Sequence, residues 1–317
     1  MSSSSSSAPR HAGFIALLGA PNAGKSTLLN RLIGQKISIV SPKAQTTRIR
    51  TLGILTEGDT QIGFIDTPGI FTPKRRLDRA MVQTAWHSLK DADALVFLVD
   101  AASHKNNDPV FAIVEDLKKA LPSGKEKTAA PRVILALNKV DVMDRDRLLP
   151  QAAFFDAMNV FSDIFMISAQ TGDGIEDLKK YLKALMPESP WFFDEDQISD
   201  LPSQILAAET TREQVCLQLQ QELPYAAAVL PGSFEEKRDG SLVVRQTIVV
   251  AREGHRPIVL GKGGARIKNI GEKARHDLAR LFDRPVHLFL DVSVDEKWYE
   301  RPTFYRTFGL DLTDGVK

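Results

Sequence analysis

The nine residues GAPNAGKST, Gly19 to Thr27, restrict this chain more than any other stretch. Gly19-Ala20-Pro21-Asn22-Ala23-Gly24-Lys25-Ser26 fits G-x-x-x-x-G-K-[ST] with no mismatch, and it lies between an apolar run and a helical pattern. Such a loop works only where a strand enters it and a helix leaves it. Its glycines let successive backbone N–H groups face a phosphate, and the helix N-terminus adds its dipole. An α/β fold follows, and the first half of the chain agrees. From Phe14 to about Pro187, the short runs FIALLG, QIGFIDTPG, ALVFLVDA, RVILALNKVD and DIFMISAQ alternate with longer helical patterns. Runs apolar at consecutive positions are those of strands covered on both faces by helices, so a mostly parallel sheet is expected. Ligands of such sheets bind at the carboxyl ends of the strands, where the polar residues of these runs fall. Lys25 is expected on the β and γ phosphates of a nucleoside triphosphate and Ser26 on Mg²⁺, with Thr27 closing the loop.

The base is read further along, at Asn138, Lys139 and Asp141 of NKVD. An Asp carboxylate accepts from both N1–H and the exocyclic amine of guanine, a pair of donors that adenine lacks, and unmatched polar groups are costly. Ser168-Ala169-Gln170 can place a backbone N–H on guanine O6. Asp66-Thr67-Pro68-Gly69 fits D-x-x-G: Asp66 suits an indirect hold on Mg²⁺, and the Gly69 N–H can sense the γ phosphate. Between these motifs, KAQTTRIR offers Thr47, with Thr46 as the alternative, to complete the Mg²⁺ shell when GTP is present. Lys25, Thr47 and Gly69 are thus the expected catalytic groups. A P-loop kinase or ATPase is the rival reading, and it gives no reason for NKVD. The residue after Gly69 is Ile70, which has no group to orient an attacking water, so slow intrinsic hydrolysis of GTP to GDP is expected. Water would then be positioned by backbone, by another residue, or on docking a partner.

The length of 317 residues predicts two domains. MPESPWFFDEDQISDLPS, rich in proline and acids, reads as a linker over 188–202. After it come an amphipathic helix starting near a Ser203 cap, two strands over 225–238 and 241–252 joined at Asp239-Gly240, a short helix at 256–260, a glycine loop, a helix over 265–281 and the strand PVHLFLDVSV. The loop is VLGKGGARIKNIG. It fails as a second P-loop because Gly follows Lys262, and as G-x-G-x-x-G because Arg266 takes the third glycine position; it also joins two helices. It does match G-x-x-G, as Gly261-Lys262-Gly263-Gly264. The net charge of +1 conceals a basic window: seven Lys or Arg against two acids between Arg252 and Arg275. The order α-β-β-α-α-β resembles the type II KH arrangement, whose G-x-x-G loop admits the backbone of about four nucleotides. On that reading Gly261, Lys262, Gly263, Gly264, Arg266 and Lys268 contact RNA, flanked by Arg252, Arg256, Lys273 and Arg275. His255 reads as readily as a surface polar residue, Trp298 and Tyr299 as packing at a domain end, and the basic run TPKRRLDRA as a solvated face. The sole cysteine, Cys216, reads as a buried structural thiol in a reducing compartment. The serine-rich start is expected to be disordered, without the features of an export signal, and no run is long enough to span a bilayer.

Taken together, GAPNAGKSTLLNRLIGQKISIVSPKAQTTRIRTLGI, FIDTPGIF, ALNKVD and VLGKGGARIKNIGEKAR, in this order, resemble the Era family of bacterial GTPases over essentially the whole chain after the serine tail. The resemblance implies a translation-factor-class GTPase domain over 13–187 and a type II KH domain over 203–310, with tails at 1–12 and 311–317. It also implies GTP or GDP with Mg²⁺, binding to 16S rRNA near its 3′ end, and a role in maturing the small (30S) ribosomal subunit. Asn22 matches a subset of related GTPases in which it helps hold K⁺, so K⁺ stimulation is implied. A cytoplasmic monomer, peripheral on the inner membrane's cytoplasmic face, completes the expectation. The departures are the serine tail and a longer loop, SGKEKTAAP, before the NKVD strand. A tRNA-modification GTPase would need a further domain bearing chemistry. A non-catalytic scaffold would show no RNA-stimulated turnover.

Overall fold

The computed structural model describes residues 9–43, 46–103, 108–121 and 131–310. Most of the serine tail, the SGKEKTAAP loop and the tail at 311–317 lie outside the described residues. The described residues divide into two compact units: those within 1–37, 50–72 and 82–200 form the first, and those within 38–49, 73–81 and 201–317 the second.

In the first unit, strands β1 (His11–Gly19), β2 (Thr51–Glu57), β3 (Thr60–Asp66), β4 (Ala94–Asp100), β5 (Arg132–Asn138) and β6 (Asp163–Ile167) form one sheet in the order β2-β3-β1-β4-β5-β6. All neighbours are parallel except β2 and β3. Alternation along β1 shows why the apolar runs are continuous. Ile15 and Leu17 pack on the face covered by α1 (Lys25–Ile33) and α5 (Ile175–Ala184), while Ala16 and Leu18 pack on the face covered by the end of α2 (Arg76–His87), α3 (Asp108–Ala120) and α4 (Leu148–Asp156). Strand β2 is the one the apolar runs do not announce, because TLGILTE mixes polar residues into an edge position.

The proline- and acid-rich stretch, expected as a linker, is bound to the first unit through Asp200. Gln61 on β3 accepts from the Phe192 and Phe193 amides at 2.9 and 3.0 Å and donates to Phe193 O at 3.0 Å. Phe192 stacks on Phe14 with centroids 5.2 Å apart, and Ile54 N donates to Ile198 O at 2.9 Å. Apolar residues scattered among prolines carry no period, yet they seal the sheet's edge.

In the second unit, β7 (Ala227–Glu236) and β8 (Leu242–Val250) pair antiparallel through the turn at Asp239-Gly240, and β9 (Val286–Val294) runs parallel to β8. One face of this sheet packs on α6 (Ser203–Gln218) and α8 (Ala265–Leu281), with α7 (Arg256–Leu260) between β8 and α8. The expected amphipathic helix with a Ser203 cap is corrected here. Ser203 is the first helical residue, the cap position is Pro202, and no side chain caps it. Every residue from Ile205 to Cys216 is buried, polar ones included. The cause is the segment 38–49, which uses the polar face. Glu213 accepts from Val40 N at 2.8 Å, Arg212 donates to Thr46 O at 2.6 Å, and Lys43 donates to the Cys216 and Leu219 carbonyls. Arg48 donates to Ala227 O and Pro224 O at 2.7 and 2.8 Å. Buried polar groups are tolerated when so paired. Cys216 is a buried free thiol, as expected. Trp298 is also buried, against Phe304 and Tyr299. Among the described residues no helix is long and apolar enough to cross a membrane.

Candidate nucleotide site and nucleic-acid interface

The phosphate loop leaves β1 at Gly19 and enters α1 through Gly24, whose φ of 100° starts the helix in the left-handed region. A Cβ at Gly24 would lie 2.2 Å from Asn138 Nδ2, so only glycine fits. Lys25 is buried and donates to Gly19 O at 3.2 Å and Ala20 O at 3.0 Å. Its amine therefore lies over the concave side of the loop. Burial pushes the ammonium down to about 8, with the Asp66 carboxylate partly opposing the shift. Ser26 Oγ donates to Asp66 Oδ2 at 2.6 Å. A hydroxyl and a fully buried carboxylate thus converge beside the loop, a hard-oxygen donor set that fits Mg²⁺. Asn22 is exposed with φ 64°, a conformation Asn adopts more readily than most residues.

The D-x-x-G segment is stitched to the same loop. Thr67 Oγ1 donates to Leu17 O at 2.8 Å, and Ile70 N donates to Gly19 O at 3.1 Å. Gly69 approaches so closely that a Cβ would meet Pro21 N at 2.7 Å. Ile70 itself is buried in the apolar layer with Leu18, Ile65 and Val99. Its side chain therefore serves the core, which removes it from any part in positioning water. Thr46 and Thr47 fall in the segment 38–49 of the second unit, where Thr47 is buried and Thr46 Oγ1 donates to Lys43 O at 2.7 Å.

At the base end, Asn138 is a keystone. Its Nδ2 donates to Ala23 O at 2.8 Å and its Oδ1 accepts from Ala169 N at 3.0 Å, joining the phosphate loop to the Ser168-Ala169-Gln170 loop. Lys139, at φ 68°, pairs with Asp100 at 2.6 Å. Asp141 is exposed in a single turn of helix at 140–142. Ser168 is fully buried and accepts from Thr171 N at 3.0 Å, fixing the turn that presents Ala169 and Gln170. Two supporting residues escaped the motif reading. Arg31 on α1 donates to Ala169 O at 3.2 Å and to Gln170 O. Asp100 ends β4, and an acid at a strand's carboxyl end was the signal that could have found it; Arg31 has no comparable local mark.

The second loop has a different build. Gly261 (φ 73°) closes α7 against Arg266, Gly263 and Gly264 have φ of 60° and 80°, and Gly264 starts α8. Lys262, Gly263, Arg266 and Lys268 are exposed. Arg266 also donates to Ile258 O at 2.7 Å, so it braces the loop as well as offering charge. Beside the loop, α8 and the edge strand β9 enclose a groove of about 610 Å³ lined by Ile267, Lys268, Gly271, Glu272, Arg275, Leu288 and Leu290. The apolar members of this groove, Ile267, Leu288 and Leu290, were not singled out in the sequence. Helix and strand together place them where an unstacked base could lie, next to basic residues suited to its phosphates.

A family profile described as 50S ribosome-binding GTPase matches residues 14–139, and one described as KH domain matches residues 222–299. GTPase Era of Caulobacter vibrioides is 50% identical over 314 residues, covering 95% of this chain and 96% of that protein. GTPase Era of Erythrobacter litoralis is 51% identical over 303 residues, covering 94% and 96%. Among solved structures, Era in complex with MgGDPNP and nucleotides 1506–1542 of 16S ribosomal RNA has a TM-score of 0.85 at 37% identity, covering 95% of this chain and 99% of that one. A variant of Aquifex aeolicus Era bound to GDP and AlF4⁻ has the same TM-score and identity, covering 94% and 99%.

Proposed function

This chain belongs to the Era family of GTPases, and from that premise we propose that it uses GTP binding and slow hydrolysis to time its hold on the 3′ end of 16S rRNA during maturation of the small ribosomal subunit. The observation that carries this reading is the division of the chain. Segments 38–49 and 73–81 flank the nucleotide motifs in sequence but fold with the unit that bears the G-x-x-G groove. Residues that sense the nucleotide in related switches are thus built into the RNA-binding unit, the arrangement an order–disorder switch requires.

In this reading Lys25 and the N-terminus of α1 hold the β and γ phosphates. Ser26, with Thr47 in the GTP state and Asp66 behind, holds Mg²⁺, whose chemistry is to neutralise charge on the phosphates. Gly69 reports the γ phosphate through its amide. Asp141 reads guanine, while Asn138 and Arg31 keep the loops in register. Ile70 lies in the core, so water is oriented by backbone, by another residue or by a partner, and turnover rises when RNA or the subunit docks. K⁺ at Asn22 stimulates the reaction; equal rates in K⁺ and Na⁺ would count against that assignment. The protein acts as a cytoplasmic monomer with a peripheral hold on the inner membrane. RNA lies along Gly261 to Gly264, with Lys262, Arg266 and Lys268 on its phosphates and bases in the α8–β9 groove.

The deciding experiment measures binding of a labelled RNA copying the 16S 3′ end to the chain held with a GTP analogue and then with GDP, beside Gly263→Asp. Tighter binding with the analogue by about tenfold, an ordinary coupling, and its loss in the variant are expected. Absence of binding in both states with hydrolysis intact would sink the RNA assignment.

A further inference from the structure

A cavity apart from the two loops lies within the second unit. It measures about 700 Å³, inside the range of roughly 300–1,000 Å³ usual for small-ligand sites. Its walls come from the segment after D-x-x-G (Arg75, Leu77), the exit of β8 (Arg252, His255) and the turn before α9 (Pro302–Thr307), which supplies Trp298 and Tyr299. None of these residues belongs to the phosphate loop or to the α8–β9 groove.

The groups it offers are unusual for a packing defect. Tyr225 and Tyr299 are half-buried and line it, and Trp298 closes it, with its indole N–H fixed on Ala226 O at 3.3 Å. Arg75 and Arg252 reach its rim exposed, and neither guanidinium forms an ion pair among the described residues. The Nδ1 atom of His255 is buried with no hydrogen-bond partner. His255 lines the cavity, and this nitrogen has no hydrogen-bond partner within the described chain, so it is available to a polar group of an occupant. The carboxylates of Glu222 and Glu296 also face the cavity's lining without a basic partner among the described residues.

We propose that this cavity binds a single nucleoside monophosphate unit, free or as one nucleotide of an RNA strand. Aromatic surface takes the base, the two arginines take one phosphate, and the two glutamates accept from ribose hydroxyls or a base amine. The same glutamates oppose a second or third phosphate, which sets this site apart from the phosphate loop. An occupant touches the 73–81 segment and the residues leading into α7, so it ties the stretch after D-x-x-G to the approach of the G-x-x-G loop.

The test uses the full chain saturated with GDP and Mg²⁺, so that the first site is filled. Labelled AMP, whose adenine lacks the donors that an NKxD aspartate reads, is titrated by equilibrium dialysis against the unmodified chain, Arg252→Ala and Arg238→Ala. The last is an exposed basic residue outside the cavity's lining. One AMP per chain is expected, weakened about tenfold by Arg252→Ala and unchanged by Arg238→Ala, with trypsin cleavage between Lys74 and Arg79 slowed by AMP. Displacement of the AMP by a short single-stranded oligoribonucleotide identifies RNA as the source, and failure to displace it identifies the free nucleotide. No AMP bound at millimolar concentration, equal weakening by both substitutions, or unprotected cleavage each overturns the proposal.

Discussion

The loop before α1 and the loop before α8 share one device and differ in everything around it. Each ends in a left-handed glycine that starts a helix, Gly24 at φ 100° and Gly264 at φ 80°. The first is sealed: Ala23 and Lys25 are buried, Asn138 and Thr67 bond into it or its strand, and added Cβ atoms at Gly19 and Gly24 would strike Leu98 O and Asn138 Nδ2 at 2.4 and 2.2 Å. The second is open, because a Cβ at Gly263 or Gly264 would meet nothing within 4 Å. A compact ligand of fixed shape can be held in a mould made from the core. A polymer that passes through needs a platform, with affinity supplied by charge on flexible side chains.

Alanine substitution is the hardest test of that contrast. Gly24→Ala combines left-handed strain with a collision against a buried amide, and it should cost about 3 kcal/mol of stability and more than about 100-fold in GTP affinity. Gly263→Ala meets only the strain, about 1 kcal/mol, and should weaken RNA binding a few-fold while GTP binding is unchanged. Denaturation midpoints with fluorescent-nucleotide and RNA titrations report both, and equal losses at the two glycines would erase the distinction. Next in size is Asp141→Asn, which should lower GTP affinity by about 100-fold and raise that for xanthosine triphosphate; unchanged base preference would remove Asp141 from the site.

Burial of Lys25 adds a pH signature that the open loop lacks. Its ammonium sits at about 8 in the folded chain against an ordinary 10.5. Below pH 8 it is charged in folded and unfolded chains alike, and burial of that charge opposes folding. Between pH 8 and 10.5 the unfolded chain holds more protons, so stability rises with pH, by at most about 3 kcal/mol. Phosphates bind the charged form, so GTP affinity should fall by up to about tenfold per unit above pH 8. Titration from pH 7 to 9 checks this, and Lys25→Met should flatten the slope.

The sealed loop was also the more legible one in sequence. A mould needs particular residues at fixed spacing, so GAPNAGKST, DTPG and NKVD declare it, and the strands around it announce themselves by unbroken apolar runs. Arg31 did not, since its carbonyl partners at Ala169 and Gln170 lie far along the chain and its own neighbourhood is that of any helix end. The open site was half visible: Gly261 to Gly264 marked the platform, whereas the groove needs β9 beside α8, a pairing no local pattern encodes. The polar face of α6 read as solvent-exposed because its cover, residues 38–49, comes from the other half of the chain. The acid-rich stretch before Asp200 misread as slack for a similar reason, its hydrogen bonds going to Gln61 on a distant strand.

The smallest expected effects separate charge from architecture within the open loop. Lys262 and Lys268 are exposed and make no ion pair among the described residues, so each is expected to act on RNA as a point charge. Removing either to alanine should leave the melting temperature in place and reduce the slope of log affinity against log salt by about 0.7, the value for one phosphate contact on a single strand. Arg266 differs because its guanidinium donates to Ile258 O. Arg266→Ala should therefore lower both the salt slope and the stability, the latter by about 1 kcal/mol, with Arg266→Lys restoring the slope but not the brace, because an ammonium lacks the planar fork. Salt titrations and thermal melts on the three variants decide the matter. A stability loss at Lys262 or Lys268 equal to that at Arg266 would mean the platform is held together by its charges, and the contrast with the phosphate loop would narrow to a difference of exposure alone.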